Sequence, residues 1–328
     1  MNINEIFNLG LKLGIAADPR GKSGVNRWLN LQKKKFDKTP EEEKEFFDSD
    51  RLTNPYADSR IHFSTNKKIK TVLAGIDVEV GEIALITALN KNIDLIISHH
   101  PVGKRLVDLA EVMNMQADMM ASYGVPINVA EGVMRDRLQT IARRVSPENH
   151  FQVIDAAKMA DLQILNLHTP CDNLVWQFLE NLMANPPAGE KPETVGEIIQ
   201  ILKKVPEYKK AALEGAGPMI FAGSPENRCG KIAAFDITGG TGPAKEVYPE
   251  LVKAGIGTVI GMHMNDENRD EAIKNHLNIV IAGHISSDSL GMNLFLDELE
   301  KKDIEIIPIS GLIRVKRNKS EIRITNNE

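Results

Sequence analysis

The residues of this chain that could do chemistry are histidines and aspartates, and they stand where apolar runs end. The stretch Asn92-Ile-Asp-Leu-Ile-Ile-Ser-His-His-Pro101 is apolar and β-branched, then closes on two adjacent imidazoles and a proline. A short, continuous apolar run reads as a strand buried in a parallel sheet. In such sheets ligands bind beyond the carboxyl ends of the strands. Pro101 cannot continue a ladder, so the chain turns there and His99 and His100 can both face the crevice above the sheet.

Two further runs end in the same way. Leu162-Gln-Ile-Leu-Asn-Leu167 leads into His168-Thr-Pro-Cys-Asp172, and Asn278-Ile-Val-Ile-Ala-Gly-His284 leads into Ile285-Ser-Ser-Asp288. His284 and Asp288 stand at i and i+4, so a helix beginning near His284 presents both on one face. Each feature alone has a plainer reading: loop histidines bonded to a carbonyl, or Asp172, Ser287 and Asp288 as helix caps. Three separate strands delivering His and Asp to one sheet edge is harder to assign to turn chemistry. Imidazole and carboxylate donors without a thiolate cluster suit Zn, Fe, Mn, Co or Ni. Six donor side chains exceed what one tetrahedral ion takes. Two ions bridged by a carboxylate would use them and leave positions for water, whose lowered pKa supplies hydroxide near neutral pH.

The elements that must position these groups follow a βαβ pattern. Ile69 to Asp77 reads as a strand, Ile83 to Leu89 as a helix, and the double-histidine run as the next strand, which brings Asp77 to the same edge. A Met-rich helix near 106–122, a short strand at Val125 to Val129 and a helix near 134–145 are expected next. Met113, Met115, Met119 and Met120 read as core filler. After Cys229 the pattern restarts: Lys231-Ile-Ala-Ala-Phe-Asp236, a helix near 244–254, then Ile256-Gly-Thr-Val-Ile-Gly-Met-His263. The expected organisation is α/β, with two interlinked, similar three-layer halves and a metal site in the cleft between them. The halves are residues 1–184 and 228–328, with a Pro-rich linker and weakly patterned segment at 185–227. Thr238-Gly-Gly-Thr-Gly-Pro243 is a glycine turn better suited to tight geometry than to phosphate binding, having no Gly-Lys-Ser/Thr sequence.

An amphipathic helix opens the chain, from Ile3 to about Asp18. Residues 22–65 are polar and charged and read as a solvated excursion or lid, with one exposed helix near 40–48 started by Thr39-Pro40-Glu41-Glu42. With 328 residues, 42% hydrophobic and 26% charged, the chain is long enough to bury a substantial core. A net charge of −5, with Lys33 to Lys35 answered by Glu41 to Glu45, gives no nucleic-acid footprint. Two cysteines, Cys171 and Cys229, exclude a disulfide framework and fit a reducing compartment. No leader pattern or membrane-length apolar run is present in the sequence, so a cytoplasmic protein is expected.

Taken together, Leu95-Ile-Ile-Ser-His-His-Pro101, His168-Thr169 with Asp172, Gly239-Gly240-Thr241-Gly242 and Gly283-His284 with Asp288 resemble, in that order, the motifs of the Nif-three-like dinuclear metal-centre proteins, also known as GTP cyclohydrolase type 2 homologues. The similarity spans about residues 69–316. It implies that His99, His100, Asp172, His284 and Asp288 hold two divalent transition metal ions per chain, and that the protein assembles as a homohexamer. The activity implied by the resemblance is GTP ring opening; the donors themselves suit a metal-dependent hydrolase acting on a carbon or phosphorus centre, phosphoesters included, with His168 or His263 shuttling protons. Asp288 stands where the family has Glu, one methylene longer, and Met262-His263-Met264 replaces the family's Thr-Gly-Glu region. A metal-binding regulatory protein without catalysis is the alternative, and a mononucleotide module on the 238–243 turn a third.

Overall fold

The computed structural model describes residues 1–187 and 189–317; residue 188 of the expected linker and residues 318–328 of the expected second half lie outside the described residues. In chain order the strands are β1 (Arg60–Phe63), β2 (Thr71–Gly75), β3 (Leu95–Ser98), β4 (Gln163–Asn166), β5 (Met219–Ala222), β6 (Lys231–Ala234), β7 (Ile256–Gly261), β8 (Asn278–Ile281) and β9 (Glu305–Ile309). They form two sheets, ordered β1-β4-β3-β2-β9 and β5-β8-β7-β6. β1 is antiparallel to β4, and β5 to β8; all other neighbours are parallel. The sheets therefore repeat one topology, in which an antiparallel edge strand lies beside the fourth strand, followed by the third and second. The two similar α/β units expected from the echoing runs are present. β5 comes from the 185–227 stretch, and β9 runs back from the second unit to lie beside β2. Pro308 sits in β9 at the sheet edge, where a missing N–H leaves no ladder bond unmade.

In each unit a helix follows the fourth strand: Thr169–Ala184 after β4 and His284–Glu300 after β8. These two helices form the central layer, and each contributes to the cores on both sides. Val175, Phe178 and Leu179 pack with Leu290 toward the second sheet; Cys171, Met292, Phe295 and Leu296 pack toward the first. Helix His284–Glu300 is buried nearly all round, as a helix between two sheets must be. Full burial of Leu290, Met292, Phe295, Leu296 and Leu299 is worth on the order of 10 kcal/mol in gross terms. The pair packs closely because residue 291 is glycine: a Cβ there would lie 2.4 Å from the Cys171 carbonyl oxygen and 2.8 Å from a Val175 methyl.

Three expectations are corrected. Val125 to Val129 is not a strand: Gly124 in the left-handed conformation ends helix Met115–Tyr123, and Pro126 precedes helix Ile127–Val145, so the β-branched residues open a helix. The Met-rich segment is three helices, Lys104–Val107, Leu109–Val112 and Met115–Tyr123, broken at Asp108 and at Met113-Asn114; its four methionines are buried core, as expected. The charged excursion holds a long helix, Gly21–Lys38, with only a 3-10 turn at Glu41–Phe46 where the exposed helix was expected. Nor is it free to act as a loose lid. The fully buried Arg105 guanidinium reaches Asp48 at 2.8 Å, Asp50 at 3.2 Å and the Ala57 carbonyl oxygen at 2.9 Å. Cys171 and Cys229 are free and buried. Among the described residues, no helix is long and apolar enough to cross a membrane.

Because the two central helices touch through Gly291, Gly291→Ala is expected to cost about 1–3 kcal/mol by overpacking. Gly132→Ala, on the exposed face of helix Ile127–Val145 with no atom near the added Cβ, should instead stabilise by about 0.5–1 kcal/mol. Urea unfolding of both variants measures the contrast.

Candidate metal centre

The ends of β3, β4 and β8 meet where the first turns of the two central helices converge. His99 and His100 follow β3; the helix after β4 carries His168 and Asp172; the helix after β8 begins at His284 and carries Asp288 one turn on. Neither aspartate caps its helix. Asp172 lies inside the first turn of its helix, where a carboxylate is favoured by the helix dipole, and Asp288 lies just beyond the first turn of the other.

Asp288 is fully buried and sits between the histidines. Its Oδ1 is 3.5 Å from His99 Nε2, which is also 3.3 Å from Asp172 Oδ1. Its Oδ2 is 3.3 Å from His100 Nε2 and 3.5 Å from His284 Nε2. His168 Nε2 lies 3.6 Å from the other oxygen of Asp172. Three groups of donors come within 4.8 Å of one another: His99, Asp172 and Asp288; His100, His284 and Asp288; and His99, His100 and His168. The shorter carboxylate of Asp288 thus reaches both imidazole sets without the extra methylene of a Glu.

Three of the imidazoles are oriented by their other nitrogen. His99 Nδ1 is 3.1 Å from the Leu167 carbonyl oxygen, His100 Nδ1 is 2.5 Å from Asp77 Oδ1, and His168 Nδ1 is 2.7 Å from Asp58 Oδ2. Acceptors at Nδ1 place the proton there and leave Nε2 aimed inward, the arrangement by which outer groups orient metal-binding histidines. Inward, partners run out. His99 Nε2, Asp172 Oδ1 and both oxygens of Asp288 are buried without hydrogen bonds. A buried carboxylate in that state is costly unless a cation compensates it. The donor chemistry, the shared carboxylate and these orphaned atoms fit metal ions, and the buried His/Asp cluster could hold them.

Titration behaviour follows from the same crowding. Burial lowers the His100 pKa, but the close approach of the Asp288 carboxylate and the hydrogen bond to Asp77 outweigh it and lift the pKa to about 9. Burial also opposes the charge of His99, yet the Asp288 charge and the contact with Asp172 hold its pKa well above the ordinary value. For Asp288 burial acts upward, and the charge of His99 with the close approach of His100 overcomes it, holding the carboxyl far below the usual range. His284 is lowered, chiefly by burial.

His263 lies beside this centre, outside the donor groups. Its ring meets that of His284 at 4.8 Å between centroids, and its Nδ1 is 3.4 Å from Asp236 Oδ2. The Asp236 charge raises its pKa to about 9. The glycine turn serves packing: a Cβ at Gly239 or Gly240 would strike Met115 or Met113, and Gln116 donates to the carbonyl oxygens of Gly239 and Thr241. Asp58 is the residue that sequence reasoning missed. It is fully buried, accepts from Thr169 Oγ1 at 2.7 Å as well as from His168, and comes from the excursion read as solvated. Residue Asp77, expected at the edge, is there as the partner of His100.

The chain matches no protein-family model and no curated protein. Among solved structures, it is similar to a NIF3 superfamily protein from Sphaerobacter thermophilus, at 27% identity over 78% of this chain and 92% of that one, with a TM-score of 0.69. It is also similar to reduced HcgD from Methanocaldococcus jannaschii, at 17% identity over 76% and 87% of the two chains and a TM-score of 0.49. A third structure, a Bacillus cereus protein related to NIF3, matches at 13% identity over 77% and 90%, with a TM-score of 0.42. The chain is a structural match to the NIF3 superfamily, and the family resemblance read from its motifs holds in three dimensions.

The raised histidines give a signed prediction for the metal-free protein. Their folded-state pKa values exceed the unfolded value of 6.5, so their contribution to stability is complete below 6.5 and is lost as pH rises above it, for His100 through about 9. Metal must displace the same protons, so binding near neutral pH should release protons and tighten as pH rises. Titration calorimetry in two buffers of different ionisation enthalpy measures the release; equal heats in both would contradict it.

Proposed function

We propose that this protein is a metal-dependent hydrolase with a dinuclear centre, one ion held by His99, Asp172 and Asp288 and the other by His100, His284 and Asp288. The observation that carries this reading is the buried Asp288 carboxylate, whose two unpartnered oxygens face two different imidazole sets. When bound, two such ions lower the pKa of water and stabilise developing negative charge as Lewis acids.

The protein's own groups supply the remainder. Asp58 holds the Nδ1 proton of His168, so proton transfer at that residue takes place at Nε2, which faces Asp172. Asp77 does the same for His100 and fixes its ring toward Asp288. His263, in contact with the His284 ring and charge-paired with Asp236, is a second group able to carry a proton at the rim. Substrate candidates carried by the family resemblance are GTP and phosphoesters. Assembly as a homohexamer in the cytoplasm belongs to the same proposal, and sedimentation equilibrium tests its first part.

Plasma mass spectrometry of the purified protein should find about two equivalents of a transition metal per chain. Asp288→Ala should lose both, and His284→Ala about one, since it serves a single donor set. No metal after reconstitution with Zn, Mn or Fe would overturn the reading. The loaded protein should hydrolyse a member of a GTP and phosphoester panel, with a rate lowered about 100-fold or more in His168→Ala while the metal content stays near that of the parent.

A further inference from the structure

Helix Val80–Ala88 lies on the outer face of the first sheet. Its Ile83 and Ile86 pack with Leu73 and Ile96 of the strands, beside Ile154 and Ala157 of helix Gln152–Met159. The alternate strand residues Val72, Leu95 and Leu165 face the central helices instead. On its other side the helix is bare among the described residues: Val80 is 41% exposed, Leu85 48% and Leu89, just past its end, 56%. Exposed Gly81, Ala84 and Ala88 complete that side, and a Cβ placed on Gly81 would meet no atom within 4 Å.

A helix with a water-facing side ordinarily carries charges there. Helix Ile127–Val145 does so with Arg135, Asp136, Arg143 and Arg144, and helix Asp266–Lys274 with Glu267, Asp270 and Lys274. Helix Val80–Ala88 has a single charged residue, Glu82, whose carboxylate accepts from Ser310 Oγ of the chain itself at 2.7 Å. Its one other polar side chain, Thr87, donates back to the Ile83 carbonyl oxygen at 2.8 Å. The outward side is therefore apolar along its length, and a continuous exposed surface of that kind marks a contact face.

The charges at its two ends fit one partner, a second copy of the same helix. Glu79 stands immediately before the first turn and Lys91 three residues after the last, both exposed. Laid antiparallel, two copies bring Glu79 of each chain to the end where Lys91 of the other lies, and they oppose the two helix dipoles. A parallel pair would set Glu79 against Glu79 and Lys91 against Lys91. With the two-fold axis between Ala84 and Leu85, each Leu85 stands level with the small Ala84 of the other copy. Gly81 then falls level with Ala88, and Val80 with Leu89, so large side chains have space to enter.

We infer that the outer side of helix Val80–Ala88 is a two-fold contact between two copies of this chain, with the helices antiparallel. The inference does not rest on the metal-centre reading; it gives the assembly proposed above one particular surface.

Sedimentation equilibrium of the parent and its variants tests the contact. Leu85→Glu and Leu89→Glu, both at exposed positions, should each weaken association about 100-fold or more and leave a species of half the parent's mass. Lys91→Glu should weaken it about three-fold or more, and adding Glu79→Lys should restore it. The arrangement is read by cross-linking with a short bismaleimide, for which the native Cys171 and Cys229 are too buried to compete. An equal mixture of Gly81→Cys and Ala88→Cys should cross-link more than either variant alone, because like positions stand about 10 Å apart along the axis and unlike ones stand level. A parent that oligomerises while both leucine variants keep its full mass would overturn this contact and leave the assembly reading standing. A parent that is monomeric at every concentration would overturn both, including the case in which it binds phosphatidylcholine vesicles through Leu85. Cross-linking strongest between like positions would overturn the antiparallel arrangement.

Discussion

The centre is organised by the desolvation cost of a lone buried carboxylate. Asp288 is inaccessible to solvent and has no hydrogen-bond donor, so its charge is tolerated only because cationic groups converge on it. His99, His100 and His284 approach from three backbone segments, and each is placed by a strand end or a helix start that has little freedom. In the metal-free protein, protons on His99 and His100 supply the compensating charge; metal ions can supply it in their place. The same electrostatic demand therefore serves both states, and it explains why the imidazole nitrogens aimed inward are left without other partners.

That demand is met by using one supersecondary design twice. The helix after β4 and the helix after β8 each bring a histidine and, four residues later, an aspartate to the same place. Their close approach at Gly291 sets the spacing of the two carboxylates, so a packing constraint a full turn away from the donors fixes the geometry of the site. The copies are not equivalent in use. Asp288 lies between both imidazole sets, whereas one oxygen of Asp172 faces His168 and the other His99.

Much of this could be read from the sequence because buried parallel strands are written as continuous apolar runs, and the polar residue that ends such a run falls at the sheet edge by necessity. The positions of His99, His100, His168 and His284 were legible on that ground, and those of Asp172 and Asp288 from their spacing four residues further on. Other elements left weaker marks. β1 and β5 are short antiparallel edges with mixed composition, and β9 contains a proline that argues against a central strand. Helix Gly21–Lys38 buries only a narrow stripe, through Val25 and Gln32, under a surface of lysines, so its composition reads as solvated. Val125 to Val129 has β-branched residues whose helical fate depends on the preceding Gly124 and Pro126. Asp58 was invisible for a further reason: its role comes from His168, 110 residues away in sequence. No local pattern encodes such a pairing.

The anchoring of the excursion changes how the centre communicates with its surroundings. Arg105 ties Asp48, Asp50 and Ala57 together in the interior, and Asp58 follows directly in the chain. Movement of this segment would leave the Arg105 guanidinium with Asp108 alone and withdraw the group that orients His168, so opening by segmental motion carries the cost of dismantling the site.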